Sequence, residues 1–205
     1  MEPRQSVNVN LILLGDSGVG KTSILKRLKG EKFNENYEKT IMCDEVKINR
    51  QYDEKDLTFI FNFQDTSGSE SDLNSAKQKV EFNHILLLVF DTLNTLDILK
   101  KRWEEYYKEN LKENAMLILI GNKSDSFEDE REKIMRQGED FAKEINADFI
   151  TCSAKSNFNI NELDNKILTK AKELFDNEIL DPFASVSIRL SKSNLRDKKD
   201  KSCNC

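Results

Sequence analysis

The run GDSGVGKT, residues 15–22, joins three glycines to a lysine and a hydroxyl in the pattern G-x-x-x-x-G-K-[ST]. Glycines let backbone N–H groups converge on phosphate oxygens with no side chain in the way, and a helix starting near Lys21 adds the positive end of its dipole. Lys21 would reach the outer phosphates of a nucleotide, and the Thr22 hydroxyl would ligate Mg²⁺. The candidate phosphate site is therefore Gly15, Asp16, Ser17, Gly18, Val19, Gly20, Lys21, Thr22 and Ser23. A second stretch, QDTSGSE (64–70), follows the apolar run LTFIFNF and places Asp65 where a strand meets a loop. Aspartates in such places often face a ligand.

Two further strings choose among nucleotides. In GNKSD (121–125), the carboxylate of Asp125 can accept both N1–H and the exocyclic amine of guanine, a donor pair that adenine lacks. Asn122 can brace its loop and meet N7, and the stem of Lys123 can cover the ring. In TCSAK (151–155), which supplies Ser153, Ala154 and Lys155, the Ala154 N–H can donate to guanine O6. Losing a paired, buried hydrogen-bond face is what makes such sites discriminate strongly, so GTP and GDP are favoured over ATP. Each string alone could be an ordinary turn or helix start; their order and spacing give them weight.

These residues need a frame. Apolar runs bounded by turn residues predict strands at 7–14, 57–63, 85–90, 116–120 and 149–151, with helices at 21–29, 95–111, 130–145 and 161–178. Buried strands alternating with helices imply an α/β domain with a mostly parallel sheet covered on both faces. A shorter strand at 45–49 is expected to meet 57–63 across the polar loop RQYDEKD as an antiparallel edge hairpin. Asn159 and Glu162 suggest a capping box for the last helix. In such a sheet, ligands collect at the carboxyl ends of strands, which is where the three strings fall. The expected division is a domain over 1–180 and a flexible tail over 181–205.

Composition narrows the classes. The 205 residues are 34% charged with a net charge of −5, which argues against nucleic-acid binding, since that needs a basic footprint. The polar start offers no apolar leader and ILLLVF (85–90) is too short to cross a bilayer; a cytosolic chain is expected. Cys43 and Cys152 stand without a His or Cys partner at metal spacing. His84 reads as structural, Trp103 with Leu96, Leu99 and Tyr107 as core, and SFEDERE (126–132) as a solvated loop and helix start.

Taken together, the three strings resemble the small GTPases of the Ras superfamily over about residues 7–178. The resemblance implies a three-layer P-loop GTPase fold: a six-stranded, mostly parallel sheet with one antiparallel edge strand and about five helices. It also implies that Phe33 packs on the guanine edge, that Tyr37 lies at the nucleotide, and that Thr40 in YEKTIMCDE binds Mg²⁺ and senses the γ-phosphate. Asp65 would hold Mg²⁺ through water, and the Gly68 N–H would meet the γ-phosphate.

The terminal Cys203-Asn204-Cys205 does not fit C-a-a-X, because Ser202 stands where that motif needs cysteine. It is similar to the Rab branch, in which both cysteines carry geranylgeranyl groups; Ser17, Thr40-Ile41 and Asp44 also resemble Rab. Two prenyl chains give stable anchoring, and residues 189–201 add six Lys/Arg against two Asp. The implied partners are an exchange factor, an activating protein, a dissociation inhibitor and a prenylation escort. The implied location is the cytoplasmic face of an intracellular membrane, cycling with the cytosol.

The chain also departs from Rab. Where most members read WDTAGQE, this one reads QDTSGSE, so Ser69 replaces the glutamine that orients the attacking water. Gln64, lying before the metal aspartate, should point elsewhere. Among the candidate catalytic residues Lys21, Gly68 and Ser69, the last is too short for that task, and slow intrinsic hydrolysis is expected. Three aromatics that dock Rab effectors are replaced by Glu45, Gln64 and Lys79, so non-standard effectors are expected. A GTP-binding scaffold with little or no hydrolysis is the rival reading.

Overall fold

The computed structural model describes residues 5–35, 44–69, 79–127 and 130–180. Six strands, β1 (Gln5–Leu14), β2 (Asp44–Tyr52), β3 (Leu57–Asp65), β4 (Ile85–Phe90), β5 (Met116–Gly121) and β6 (Asp148–Thr151), form one sheet in the order β2-β3-β1-β4-β5-β6. Only the β2–β3 pair is antiparallel. Four α-helices stand among the described residues: α1 (Lys21–Leu28), α2 (Leu93–Arg102), α3 (Arg131–Glu144) and α4 (Ile160–Asp176). The three-layer α/β architecture expected from the sequence is thus present.

Alternation along the central strands explains the layers. Successive strand residues face opposite sides, and in β4 all six are buried. Ile85, Leu87 and Val89 pack towards Ile24, Leu25 and Leu28 of α1 and Leu163, Ile167 and Leu174 of α4. Leu86, Leu88 and Phe90 pack with Leu96 and Leu99 of α2 and Ile134 and Phe141 of α3. An apolar run without polar interruption is what a strand covered on both faces requires. In β3 the pattern changes: Leu57, Phe59, Phe61 and Phe63 are buried, while the residues between them are only half-buried. There, the Asn62 amide donates to Asn8 Oδ1 and Asn10 Oδ1, both at 3.2 Å. Strand order runs both ways from β1, so the loop after it opens into the crevice where such sheets hold ligands.

Several expectations change in detail. The hairpin strand β2 extends to Tyr52, and the turn shrinks to Asp53–Asp56, closed by Asp56 at φ +46°. Tyr52 belongs to the core rather than the loop: it is buried and stacks on Phe59 with ring centroids 5.8 Å apart. The capping box at Asn159 does not form. Asn159 adopts φ +56° and spends its amide on Thr151 O at 2.9 Å, tying the start of α4 to β6. A reciprocal box forms instead at α2, between Thr92 and Thr95. The long helix expected over 95–111 is α-helical to Arg102, widens into a π turn at Trp103–Tyr107 and tightens to 3-10 at Lys108–Asn110. Phe127, read as part of a solvated loop, is buried beside Phe90 and Phe141.

Trp103, Leu96, Leu99 and Tyr107 are core, as expected. His84 splices β1 to β5: its Nδ1 accepts from Asn10 N at 3.0 Å, its N donates to Asn10 O, and its O accepts from Met116 N. Burial, helped by Lys112, lowers its pKa to about 4, which keeps Nδ1 an acceptor. Packing continues to Leu180, which is buried in the α1/α4 layer. No helix among the described residues is long and apolar enough to cross a membrane.

Candidate nucleotide site

The loop leaving β1 closes onto α1 at Gly20, which caps the helix at φ +94°. A Cβ at Gly20 would stand 2.3 Å from Asn122 Nδ2, so the close approach of these two loops requires glycine. Asn122 then fastens three segments together. Its Nδ2 donates to Val19 O at 2.8 Å, while its Oδ1 accepts from Ala154 N at 3.2 Å and faces the Cys152 thiol at 3.7 Å. The expected brace is real, but the Ala154 N–H, expected at guanine O6, is committed to Asn122 here. Val19 contributes its carbonyl and a side chain buried in the core.

Lys21 is 4% exposed, and its Nζ donates to Gly15 O at 3.1 Å and Asp16 O at 2.8 Å. Burial drives its pKa down to about 8; Asp65 and Asp16 oppose that drop, and Arg102 adds to it. Thr22 Oγ1 donates to Asp65 Oδ2 at 2.5 Å, so two of the three residues assigned to metal from sequence meet across 43 positions; the third, Thr40, lies outside the described residues. Asp65 is itself buried at the end of β3. Beyond it, Thr66 Oγ1 donates to Leu13 O at 2.7 Å and fixes the exit of the chain beside β1. Ser69 Oγ lies 3.1 Å from Ser67 Oγ, and its N donates to that same hydroxyl at 3.3 Å.

At the other end, Ser153 Oγ donates to Asp125 Oδ1 at 2.5 Å, and Ser153 also accepts from Ser156 N. Lys123, at φ +57°, reaches back to Gly18 O at 2.8 Å and pairs with Asp91 at 2.7 Å. These loops enclose a cleft of about 430 Å³, lined by Gly18, Gly20, Lys21, Thr22, Ser23, Phe33, Asn122, Lys123, Asp125, Ala154 and Lys155, with Lys26, Lys32, Asn34, Glu35, Thr66, Ser67 and Ser126. A volume in this range suits a nucleotide.

The Ras family model matches residues 10–173. The chain belongs to the Ras family. It is therefore a small GTPase, a switch that binds GTP and GDP and hydrolyses GTP, with Mg²⁺ the usual metal and exchange and activating proteins the general regulators. The match runs from β1 into α4 and takes in all three loops.

The residues present fit these ligands. Thr22 and Asp65 offer adjacent hard oxygens, and Mg²⁺ is ordinarily held by one or two protein oxygens, phosphates and water rather than by a full protein cage. A Cβ on Gly18 would meet nothing within 4 Å, leaving that backbone open to the cleft.

Of the other sequence-assigned residues, Gly15, Asp16 and Ser17 lie on the loop after β1, with Ser17 exposed. Tyr37, Thr40, Cys43, Cys203 and Cys205 lie outside the described residues. Gln64 does point elsewhere: its Oε1 accepts from Asn83 Nδ2 at 3.4 Å. It sits directly across from the exposed Glu45 in the β2–β3 register.

Sequence reasoning missed three residues. Arg27 of α1 donates to Ala154 O at 2.7 Å and Lys155 O at 2.9 Å, holding the SAK loop from beneath. Asp91 anchors Lys123. Arg102 pairs with Asp16 Oδ1 at 3.0 Å and donates to Gly68 O at 3.2 Å. No motif marks them, although Asp91 follows a strand much as Asp65 ends one. Among the described residues, the buried charged side chains are Lys21, Asp65 and Arg102. All three gather at this one edge of the sheet.

Proposed function

We propose that the chain is a Rab-like GTP/GDP switch of intracellular vesicle and membrane trafficking, with slow intrinsic hydrolysis. One observation carries the reading: the phosphate loop, the NKSD loop and the SAK loop line a single cleft that includes Lys21, Thr22 and Asp125, with Thr22 bonded to Asp65. In this reading, Asp125 receives the guanine donors, Phe33 and the Lys123 stem flank the base, and Lys21 contacts the outer phosphates. Thr22, Asp65 and Thr40 serve Mg²⁺, which offsets phosphate charge when bound. GTP orders the Thr40 and Gly68 loops, and partners read that order.

Slow hydrolysis follows from reach. A serine hydroxyl stands directly on Cβ, whereas a glutamine amide extends well beyond it, and Ser69 Oγ lies against Ser67 of its own loop. The Rab assignment draws on Ser17, on Thr40-Ile41 with Asp44, and on the terminal Cys203 and Cys205. Geranylgeranylation there would place the protein on the cytoplasmic face of an internal membrane, with an escort and a dissociation inhibitor as carriers. Glu45 opposite Gln64, with Lys79 tied to Gln64 through the Asn83 amide, favours effectors that read a polar rather than an aromatic surface.

Purified protein should release guanine nucleotide on denaturation, and its single-turnover GTP cleavage should fall below about 10⁻⁴ s⁻¹. Ser69→Gln should raise that rate. An ordinary family rate in the unaltered chain refutes slow hydrolysis, and adenine in place of guanine refutes the site. The polar surface and Ser69 also favour the scaffold reading. No acceleration of turnover by an added activating protein would select it.

A further inference from the structure

Arg102 ends the α-helical part of α2, is 6% exposed, and stands where the helix widens into the π turn Trp103–Tyr107. Such π insertions gather at functional sites. One arm of its guanidinium, Nη2, pairs with Asp16 Oδ1 at 3.0 Å, and the other, Nη1, donates to Gly68 O at 3.2 Å. Asp16 belongs to the loop after β1 and Gly68 to the loop after β3, so one rigid group ties α2 to both walls of the phosphate end. A planar fork with two fixed arms can do this; a single ammonium cannot span both partners in the same way. Desolvating a guanidinium is costly, so a buried one committed to two loops points to a use for it.

Gly68 lies hard against the phosphate loop. A Cβ added to it would stand 2.5 Å from Lys21 Nζ and 2.6 Å from Gly15 O. The contact from Arg102 therefore holds the Gly68 backbone beside the ammonium assigned to the outer phosphates.

We propose that Arg102 is a positioning residue that sets the preference for GTP over GDP, by holding the Gly68 backbone in place for the γ-phosphate before the nucleotide binds. This rests on the switch reading above. In a switch, part of the affinity for GTP is consumed in ordering the loop that meets the γ-phosphate, and a loop fixed beforehand removes that cost. GDP has no γ-phosphate for Gly68 to meet, so the arm on Gly68 bears on GTP alone, whereas the arm on Asp16 bears on both nucleotides alike. The tie also gives α2 a mechanical link to the nucleotide through Asp16 and Gly68.

The test is equilibrium binding of GDP and of a hydrolysis-resistant GTP analogue, each with Mg²⁺, to the full chain and to Arg102→Gln and Arg102→Lys. Arg102→Gln should weaken the GTP analogue about tenfold more than it weakens GDP. Arg102→Lys keeps a charge for Asp16 but not the fork, and should behave like Arg102→Gln; if the glutamine variant fails to fold, the lysine variant decides. Equal weakening of both nucleotides shows a merely structural arginine and overturns the proposal, as does no change in either. If the unaltered chain binds neither nucleotide, the switch reading fails and takes this inference with it; an unchanged ratio in a chain that binds both sinks this inference alone.

Discussion

Lys21→Met should make the nucleotide-free protein more stable at neutral pH while destroying nucleotide binding. Burial holds the Lys21 pKa at about 8 rather than 10.5, despite help from Asp65 and Asp16. At roughly 1.4 kcal/mol per unit, keeping the charged form folded at neutral pH is a liability of about 3 kcal/mol. Methionine retains most of the apolar stem and removes the charge. It also strips a donor from Gly15 O and Asp16 O, a loss of about 1 kcal/mol each. The net gain near pH 7 is then about 1 kcal/mol.

The pH dependence is the sharper test. Since the folded pKa lies below the unfolded one, the unfolded chain binds more protons between about pH 8 and about pH 10.5, and stability of the unaltered protein rises through that window. The methionine variant lacks this rise, so its advantage should shrink by about 3 kcal/mol between about pH 7 and about pH 10.5. Urea titrations at several pH values, after chelation and removal of nucleotide, measure the gap. A gap that stays constant with pH would refute the claim that Lys21 is a strained buried cation. Adding GDP and Mg²⁺ in excess should reverse the order at neutral pH, because only the lysine can pair with the phosphates.

Three further outcomes follow from the packing. Asn122→Ala leaves Val19 O and Ala154 N without their partner and should cost about 2–4 kcal/mol, seen as a lower urea midpoint together with weaker binding of GDP. Tyr52→Ala removes the ring that stacks on Phe59 and carries the Lys172 ammonium at 4.4 Å; about 3–4 kcal/mol of stability should go, with the affinity of the folded protein for GDP unchanged. His84 must stay neutral to accept from Asn10 N, and its pKa of about 4 lies below the ordinary 6.5, so stability should fall as pH drops from about 6.5 to about 4. His84→Asn, which keeps an acceptor, should flatten that fall in a pH series of melting temperatures.

The site was legible wherever its chemistry is carried by a contiguous string. Lys21, Thr22, Asp65, Asn122 and Asp125 sit in short motifs at strand ends, and the parallel sheet brings strand ends together, so Thr22, read from its own string, and Asp65, given by the resemblance, meet. The central strands were equally plain, because β4 has no polar residue to blur it. What escaped is what depends on long-range packing. Tyr52 follows a polar stretch, and only the antiparallel register with β3 shows that its ring falls on Phe59. Asn159 had the spacing of a cap, but positive φ and the reach to Thr151 O used its amide otherwise. Arg102 follows Lys100 and Lys101 in the helix expected over 95–111, where no motif marks it. Its role exists only because α2 crosses the mouths of two loops that are 86 and 34 positions away in sequence.

The distribution of buried charge links stability to function in this chain. The helix layers and β4 bury apolar side chains on both faces of the sheet, whereas Lys21, Asp65 and Arg102 are buried together at the carboxyl edge. Lys21 and Arg102 there face the buried Asp65 and the less buried Asp16, so the deepest part of that edge carries more positive than negative charge and favours further anions. Nucleotide phosphates supply such charge and bind the folded state alone, so they must raise its stability by mass action, by about 4 kcal/mol at a thousandfold excess over Kd. The unfolding midpoint should therefore climb with the logarithm of free GDP concentration. A midpoint indifferent to GDP would mean that the cationic edge is balanced within the protein itself, and that the cleft was not shaped by phosphate.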